Sequence, residues 1–152
     1  MKKLIFLFLL TLLYTGMQAQ NENPDFDQQL ADSLGADELG MRNYYLVILK
    51  TGSSTLEDKD RLNTIFRGHF DFIKQMITEG KLIIAGPLGK NDKSYRGIYI
   101  FTLSTKDEVE ILLQSDLSVK EKIFDYEIYP WYGSAALPTY LDTHKKIEKK
   151  KL

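Results

Sequence analysis

The chain has 152 residues, which suits one domain and leaves no room for a second sizeable core. Hydrophobic residues make up 43% and charged residues 27%, which excludes a chain that is disordered throughout. The absence of cysteine excludes disulfides and a lipid-anchored lipoprotein, and the net charge of −1 makes nucleic acid and anionic membranes poor partners.

The first twenty residues are typical of a secretory signal peptide. Lys2 and Lys3 give a positive start, an apolar run extends from Leu4 to Leu13 with one threonine, and small or polar residues follow up to Ala19. The run is much shorter than the ~20 residues of a bilayer span, which favours cleavage over a membrane anchor. We therefore expect an exported protein, periplasmic or secreted, with 18 basic and 21 acidic residues after cleavage and no further membrane contact.

The next segment, residues 20–41, is polar and acidic and predicts a linker with one short helical turn. Tyr44–Leu49 is rich in β-branched and aromatic residues and predicts the first strand. Ser54 and Glu57 have the spacing of a capping box, and apolar residues then recur at helical spacing, which predicts a helix over about 56–79.

The second half of the chain predicts two strands, a helix and a last strand. Gly80 lies in the position favoured just past a helix C-terminus. Thr105 and Glu108 form a second capping box, which opens a helix through about Gln114. The predicted strands are Leu82–Ala85, Arg96–Leu103 and Phe124–Trp131, the last ended near Pro130, with a short turn or helix at Asp116–Lys122 before it.

This βαββαβ order predicts an α+β, ferredoxin-like fold with a four-stranded antiparallel sheet and two helices on one face. The expected divisions are a signal peptide (1–19), a linker (20–41), the α+β domain (42–134) and a lysine-rich tail (135–152). Within that tail, we expect His144–Lys151, with its five lysines, to be a frayed, solvated end rather than a contact arm.

Both faces of the predicted sheet are apolar. Leu46 and Ile48 alternate with Val47 and Leu49, so neither face has the polar positions of a solvated sheet. An uncovered apolar face of that size favours aggregation. We therefore expect a homodimer that packs sheet against sheet, a dimeric α+β barrel, with a cavity between sheet and helices.

The residue patterns exclude several chemistries. Two histidines and no cysteine give no metal-site spacing, and neither a phosphate-binding glycine loop nor a nucleophile turn is present, so we expect no metal and no cofactor. His69 is the candidate for chemistry that remains after these exclusions. With Leu62 at zero and about 100° per residue, His69 lies near 340°, within the apolar stripe.

A histidine on that stripe is desolvated, which favours the neutral form, and neutral imidazole is a usable general base. The alternative interpretation is a core histidine that makes one hydrogen bond. Asp71 is two residues away, about 200° around the helix, and cannot readily reach the ring.

Five features stand out between the first predicted strand and the tail. They are the helix with its histidine, EGKLIIAGPL (79–88), RGIYIF (96–101), QSDLSVKEKIF (114–124) and EIYPWYG (127–133). Together they resemble the YCII-related family. The PWYGSAAL ending and the lysine-rich tail are similar to an exported subgroup of that family. The resemblance implies a dimeric ferredoxin-like fold and a site in which His69 is paired with an aspartate. Asp116 matches that aspartate best, although Leu117 stands where the family usually has proline.

In this interpretation His69 is the base and Asp116 orients the ring. Gly86 and Pro87 would form the rim of the pocket or a simple turn at the strand end. Arg96 would hold a carboxylate or end a strand in solvent, and Trp131 would line the cavity, line the dimer seam or serve packing.

Two functions stay open at this point. The first is an enzyme that transfers protons on a small polar or aromatic molecule, in lyase or isomerase chemistry. The second is a non-catalytic module that binds a small molecule or assembles as a dimer.

Overall fold

The computed structural model describes residues 23–150, so the predicted signal peptide lies outside the described residues. The helices and strands, in chain order, are α1 (Gln28–Leu34), β1 (Met41–Thr51), α2 (Lys59–Thr78), β2 (Leu82–Pro87), β3 (Tyr95–Phe101), α3 (Lys106–Leu113), α4 (Leu117–Lys120), β4 (Phe124–Ser134), a 3₁₀ turn (Leu137–Thr139) and α5 (Tyr140–Ile147). The strands form one antiparallel sheet in the order β2-β3-β1-β4. This arrangement confirms the predicted α+β, ferredoxin-like fold.

The main core lies between one face of the sheet and the helices. Val47 pairs with Tyr99 on one side and with Ile128 on the other, and the two-residue alternation of strands places all three on the same face. Helix α2 contributes Phe72 and Met76, which are buried at helical spacing against this face. The cavity described below opens within this layer. Among the described residues, no helix is both long and apolar enough to cross a bilayer.

The start of α2 differs from the prediction. Asp58 caps the helix, its side chain accepting a hydrogen bond from the backbone N–H of Arg61 at 2.9 Å. The predicted capping box of Ser54 and Glu57 is therefore wrong. The backbone N–H of Ser54 instead donates to the carbonyl of Lys122, which keeps this segment out of the helix.

Strand β4 continues through Pro130 to Ser134, which corrects the predicted end of this strand. Pro130 pairs with Tyr45 of β1. Because β4 is an edge strand, the missing N–H of proline costs no ladder bond on its outer side. The second predicted capping box is confirmed, with Thr105 and Glu108 exchanging both hydrogen bonds.

The N-terminal segment that was predicted to be a linker contains a seven-residue helix, α1. Asp27 caps its start, and Gly35 ends it with a left-handed φ of 65°. A guanidinium N–H of Arg42 donates to the carbonyl of Leu34 at 3.1 Å, which ties α1 to the first strand.

The C-terminal segment folds back over the second face of the sheet. Leu137 packs against a cluster that contains Tyr44, Ile83 and Ile100. The hydroxyl of Tyr140 then donates to the backbone carbonyl of Ile83 in β2, and α5 begins at that residue. The predicted frayed end is therefore wrong for residues 144–147, because they belong to a helix whose start is held on β2.

The second face of the sheet keeps part of its apolar surface open. Leu46, Ile48, Ile84 and Ile98 are half-buried there, and Tyr129 is 46% exposed. The C-terminal segment covers the β2 side of this face, so the surface available to a second copy is smaller than the sequence suggested. The homodimer stays a prediction.

Candidate functional site

His69 lies on the core side of α2 and is 8% exposed. Aromatic rings surround the imidazole, those of Phe124, Phe70, Tyr99 and Phe66, with centroids 5.4 to 6.4 Å from it. A polar ring in such surroundings needs a hydrogen-bond partner, since burying an unpaired polar group is costly.

Asp116 is that partner. It precedes α4 and caps it, accepting a hydrogen bond from the backbone N–H of Ser118 at 2.9 Å. Its two carboxylate oxygens lie 2.9 and 3.1 Å from Nδ1 of His69. The hydroxyls of Ser118 and Tyr99 also donate to it, at 2.7 and 3.1 Å. Asp116 is completely buried, and these donors compensate its charge.

This arrangement selects one tautomer of the His69 ring. An ionised carboxylate only accepts hydrogen bonds, so Nδ1 carries the proton and Nε2 keeps its lone pair. The hydroxyls of Ser118 and Tyr99 also lie 3.0 and 3.3 Å from Nδ1, but both donate to Asp116. Burial, and then the charge of Asp116, raises the pKa of Tyr99 far above its ordinary value, so this hydroxyl stays protonated.

Nε2 of His69 faces a cavity. All hydrogen-bond contacts of the ring within residues 23–150 fall on Nδ1. In the same part of the chain, no fully buried side-chain nitrogen or oxygen lacks a partner, so Nε2 retains access to open space. That space is a cavity of about 550 Å³, within the usual size range for small-molecule sites.

The cavity lies between the sheet and two helices, α2 and α5, and most of its lining is apolar. Beside the ring it is bounded by the side chains of Leu49, Tyr99 and Phe124. Along α2 it is bounded by Ile73 and Ile77. A molecule bound here would therefore bury an apolar body and meet an imidazole nitrogen at one end.

The structure places three of the four predicted pocket residues at the cavity and the fourth elsewhere. Gly86, Pro87 and Arg96 line the cavity, and a guanidinium N–H of Arg96 donates to the hydroxyl of Thr51 at 2.7 Å. Trp131 lies on the opposite face of the sheet and packs on Tyr44, with ring centroids 5.6 Å apart. Of the roles predicted for Trp131, this is the packing role. Trp131 does not line the His69 cavity, because strand alternation in β4 directs its side chain to the other face.

The rival acid Asp71 is exposed on α2, while Asp116 lies against the ring. Gly68 explains why Asp116 can approach so closely. A Cβ atom at Gly68 would lie 2.9 Å from Cδ2 and 3.0 Å from Cβ of Leu117, so the absence of a side chain lets α4 pack directly on α2. Leu117 fills this contact at the position where the resemblance led us to expect proline.

No sequence pattern identified Tyr99 and Ser118 as members of the site. Tyr99 was predicted only as a strand residue, and Ser118 only as part of a turn or short helix. A polar residue two positions after a candidate N-cap is a weak sign of such a contact. The side chains of α5 that line the cavity were also missed, because the tail was predicted to be frayed.

The geometry supports base chemistry and excludes a serine nucleophile at this site. Ser118 lies against the same ring nitrogen as Asp116 and is completely buried, so its hydroxyl cannot reach a ligand in the cavity. Within the described residues, no group of three or more His, Cys, Asp and Glu side chains could hold a metal ion. The accessible reactive atom is Nε2 of His69.

No family model matches the sequence, and no curated protein matches it. Among solved structures, the chain is similar to 5-chloro-2-hydroxyhydroquinone dehydrochlorinase (TftG) from Burkholderia phenoliruptrix AC1100, in a complex with 2,5-dihydroxybenzoquinone. The two are 21% identical over 58% of this chain and 92% of that one, with a TM-score of 0.43. The fold assignment itself rests on the strand order and register given above.

Proposed function

We propose that this protein binds a small apolar or aromatic molecule in the cavity and that Nε2 of His69 removes a proton from it. The reaction would be an elimination or isomerisation of the lyase or isomerase type. One observation carries the proposal: the His69–Asp116 pair commits Nδ1 as a donor and leaves the basic nitrogen facing an apolar cavity of ligand size.

The roles follow from elementary proton transfer. His69 takes the proton of an acidic C–H or O–H and becomes imidazolium, and the electron pair stays on the ligand as an enolate or phenolate. Asp116 holds the ring in place and stabilises the imidazolium without itself accepting the proton. In an isomerisation the proton returns to another atom of the ligand, and in an elimination a leaving group departs with its electron pair.

The test uses binding and proton exchange together. A panel of small aromatic acids and phenols is screened by ligand-observed NMR, and deuterium uptake into phenylpyruvate is followed in D₂O. His69→Gln is compared with Asp71→Asn as the control, because Asp71 is exposed on the same helix and does not line the cavity. We expect His69→Gln alone to remove the exchange that the protein catalyses. Equal behaviour of both variants would reject the proposal.

A second candidate function is a non-catalytic module that binds the same ligands. Within residues 23–150, no acid or base of the cavity wall is hydrogen-bonded to Nε2 of His69, which favours this alternative. Ligand binding that His69→Gln abolishes, without deuterium exchange in the wild-type protein, would support this alternative.

We further propose that the chain is a divergent member of the YCII-related family and forms a homodimer through the second face of its sheet. The motifs at 79–88 and 114–124 and the placement of His69 beside Asp116 support the family. Half-buried apolar residues in the centre of that face, with Tyr129 46% exposed, support the dimer. Sedimentation that shows a monomer at micromolar concentration would reject the dimer.

Export is proposed from the first nineteen residues. Expression of the full chain in a bacterial host should give a mature protein that begins at Gln20 in the periplasm or medium. Mass spectrometry of the recovered protein tests this, and retention of residues 1–19 would contradict it.

A further inference from the structure

The C-terminal helix α5 forms one wall of the His69 cavity. Tyr140, Leu141, His144, Lys145 and Glu148 from this segment all line the cavity. The hydroxyl of Tyr140 fixes the start of α5 on β2. The tail therefore supplies side chains to the space in front of the proposed base.

The cavity combines an apolar interior with a cationic rim. Apart from histidine, its acidic and basic lining residues are Lys74, Arg96, Lys145 and Glu148, a formal net charge of +2. Cationic groups around an apolar, low-dielectric space attract an anionic group on a ligand. A neutral apolar ligand would make no use of them.

We infer that Lys145 of α5 and Lys74 of α2 determine specificity by binding a carboxylate, or a similar anion, on the apolar ligand of the His69 cavity. This inference rests on the proposed function, because it names the class of molecule that the same site takes. It places an aromatic or apolar carboxylate in the cavity, with its anionic end between two helices.

Lys74 follows His69 by five residues along α2, and both line the cavity. A ligand that contacts both therefore extends along the wall that α2 forms, with its acidic C–H or O–H at His69 and its carboxylate at Lys74. The apolar residues Ile73 and Ile77 lie along the same wall and would contact the apolar part of the ligand.

Turning the Lys145 side chain towards a ligand costs little free energy. Its ammonium lies 3.2 Å from a carboxylate oxygen of Asp142, and these side chains are 67% and 84% exposed. Exposed pairs of this kind contribute little to stability, so the ammonium can turn towards an anion in the cavity. His144 lies on the same rim, 4.0 Å from a carboxylate oxygen of Glu148.

The experiment measures binding of benzoate, phenylacetate and 3-phenylpropionate and of their primary amides, by titration at low ionic strength. Lys145→Gln and Lys74→Gln are compared with the wild type. Lys146→Gln is the matched control, because Lys146 is the next residue of α5, is exposed and does not line the cavity. Thermal unfolding of each variant confirms that the fold is kept.

We expect the acids to bind the wild type more tightly than the amides. Lys145→Gln and Lys74→Gln should each weaken acid binding about tenfold, as for the loss of one charge-assisted hydrogen bond, and leave amide binding unchanged. Lys146→Gln should change neither. Equal binding of acids and amides, or equal effects of Lys145→Gln and Lys146→Gln, would overturn this inference alone. If neither the acids nor the amides bind the wild type, both this inference and the proposed function are rejected.

Discussion

The replacement of Asp116 tests the site through stability alone. Asp116→Ala removes the acceptor of four hydrogen bonds inside a fully buried cluster. The hydroxyl of Ser118 lies 3.0 Å from Nδ1 of His69 and can turn to donate to it once the ring changes tautomer. The backbone N–H of Ser118 and the hydroxyl of Tyr99 are then left without an acceptor.

Each unsatisfied buried donor costs about 1–3 kcal/mol, and the bond from the Ser118 backbone N–H is also the cap of α4, so it is counted once. With two such donors, Asp116→Ala should lower the free energy of unfolding by about 2–6 kcal/mol. Asp116→Asn keeps the oxygen that accepts from Ser118, and its amide can donate to Nδ1 of His69. It should cost only about 1–2 kcal/mol, the difference between charge-assisted and neutral hydrogen bonds.

Urea unfolding measures both variants, with the midpoint and the slope fitted separately so that a change in slope is recognised. The Asn variant is the matched control, since it has nearly the same shape and lacks the charge. An Ala variant that costs less than about 1 kcal/mol, or an Asn variant as unstable as Ala, would refute the hydrogen-bond reasoning.

The other predictions concern the packing around the site. Gly68→Ala should lower the free energy of unfolding by about 1–3 kcal/mol, because its Cβ would meet the side chain of Leu117. Adding Leu117→Ala to the same chain should recover part of this loss in urea unfolding. No recovery in the double variant would contradict the contact. Tyr99→Phe should cost about 1 kcal/mol by removing one donor to the buried carboxylate, and an unchanged unfolding midpoint would argue against that bond. Tyr140→Phe removes the hydrogen bond to the carbonyl of Ile83, so hydrogen exchange of the α5 amides should accelerate while that of the core strands stays unchanged.

The sheet and the main helices were predictable because their signals are local and periodic. The strand residues around Val47 and Tyr99 are β-branched or aromatic, and the apolar positions of α2 recur at helical spacing. The capping box at Thr105 was recognised for the same reason. The box at Ser54 failed because pairing with the distant residue Lys122 holds that segment, and such a contact has no local signal.

The candidate site was predictable in part. His69 was identified from its place on the apolar stripe, whereas Asp116 lies 47 residues away, and a family resemblance pointed to it. The fold, not the local sequence, brings them together through the close approach of α2 and α4 at Gly68. The role of α5 was not predicted because its lysine-rich composition is typical of a solvated tail, and its contact with β2 is non-local.

The protonation of the His69 ring tests the central claim most directly. Nitrogen-15 NMR of the labelled protein distinguishes protonated from unprotonated ring nitrogens, and His144→Gln assigns the signals, since the chain has two histidines. The account predicts that in the neutral ring Nδ1 of His69 carries the proton and Nε2 does not, and that Asp116→Asn reverses the two. A neutral wild-type ring with its proton on Nε2, or no change in Asp116→Asn, would contradict it.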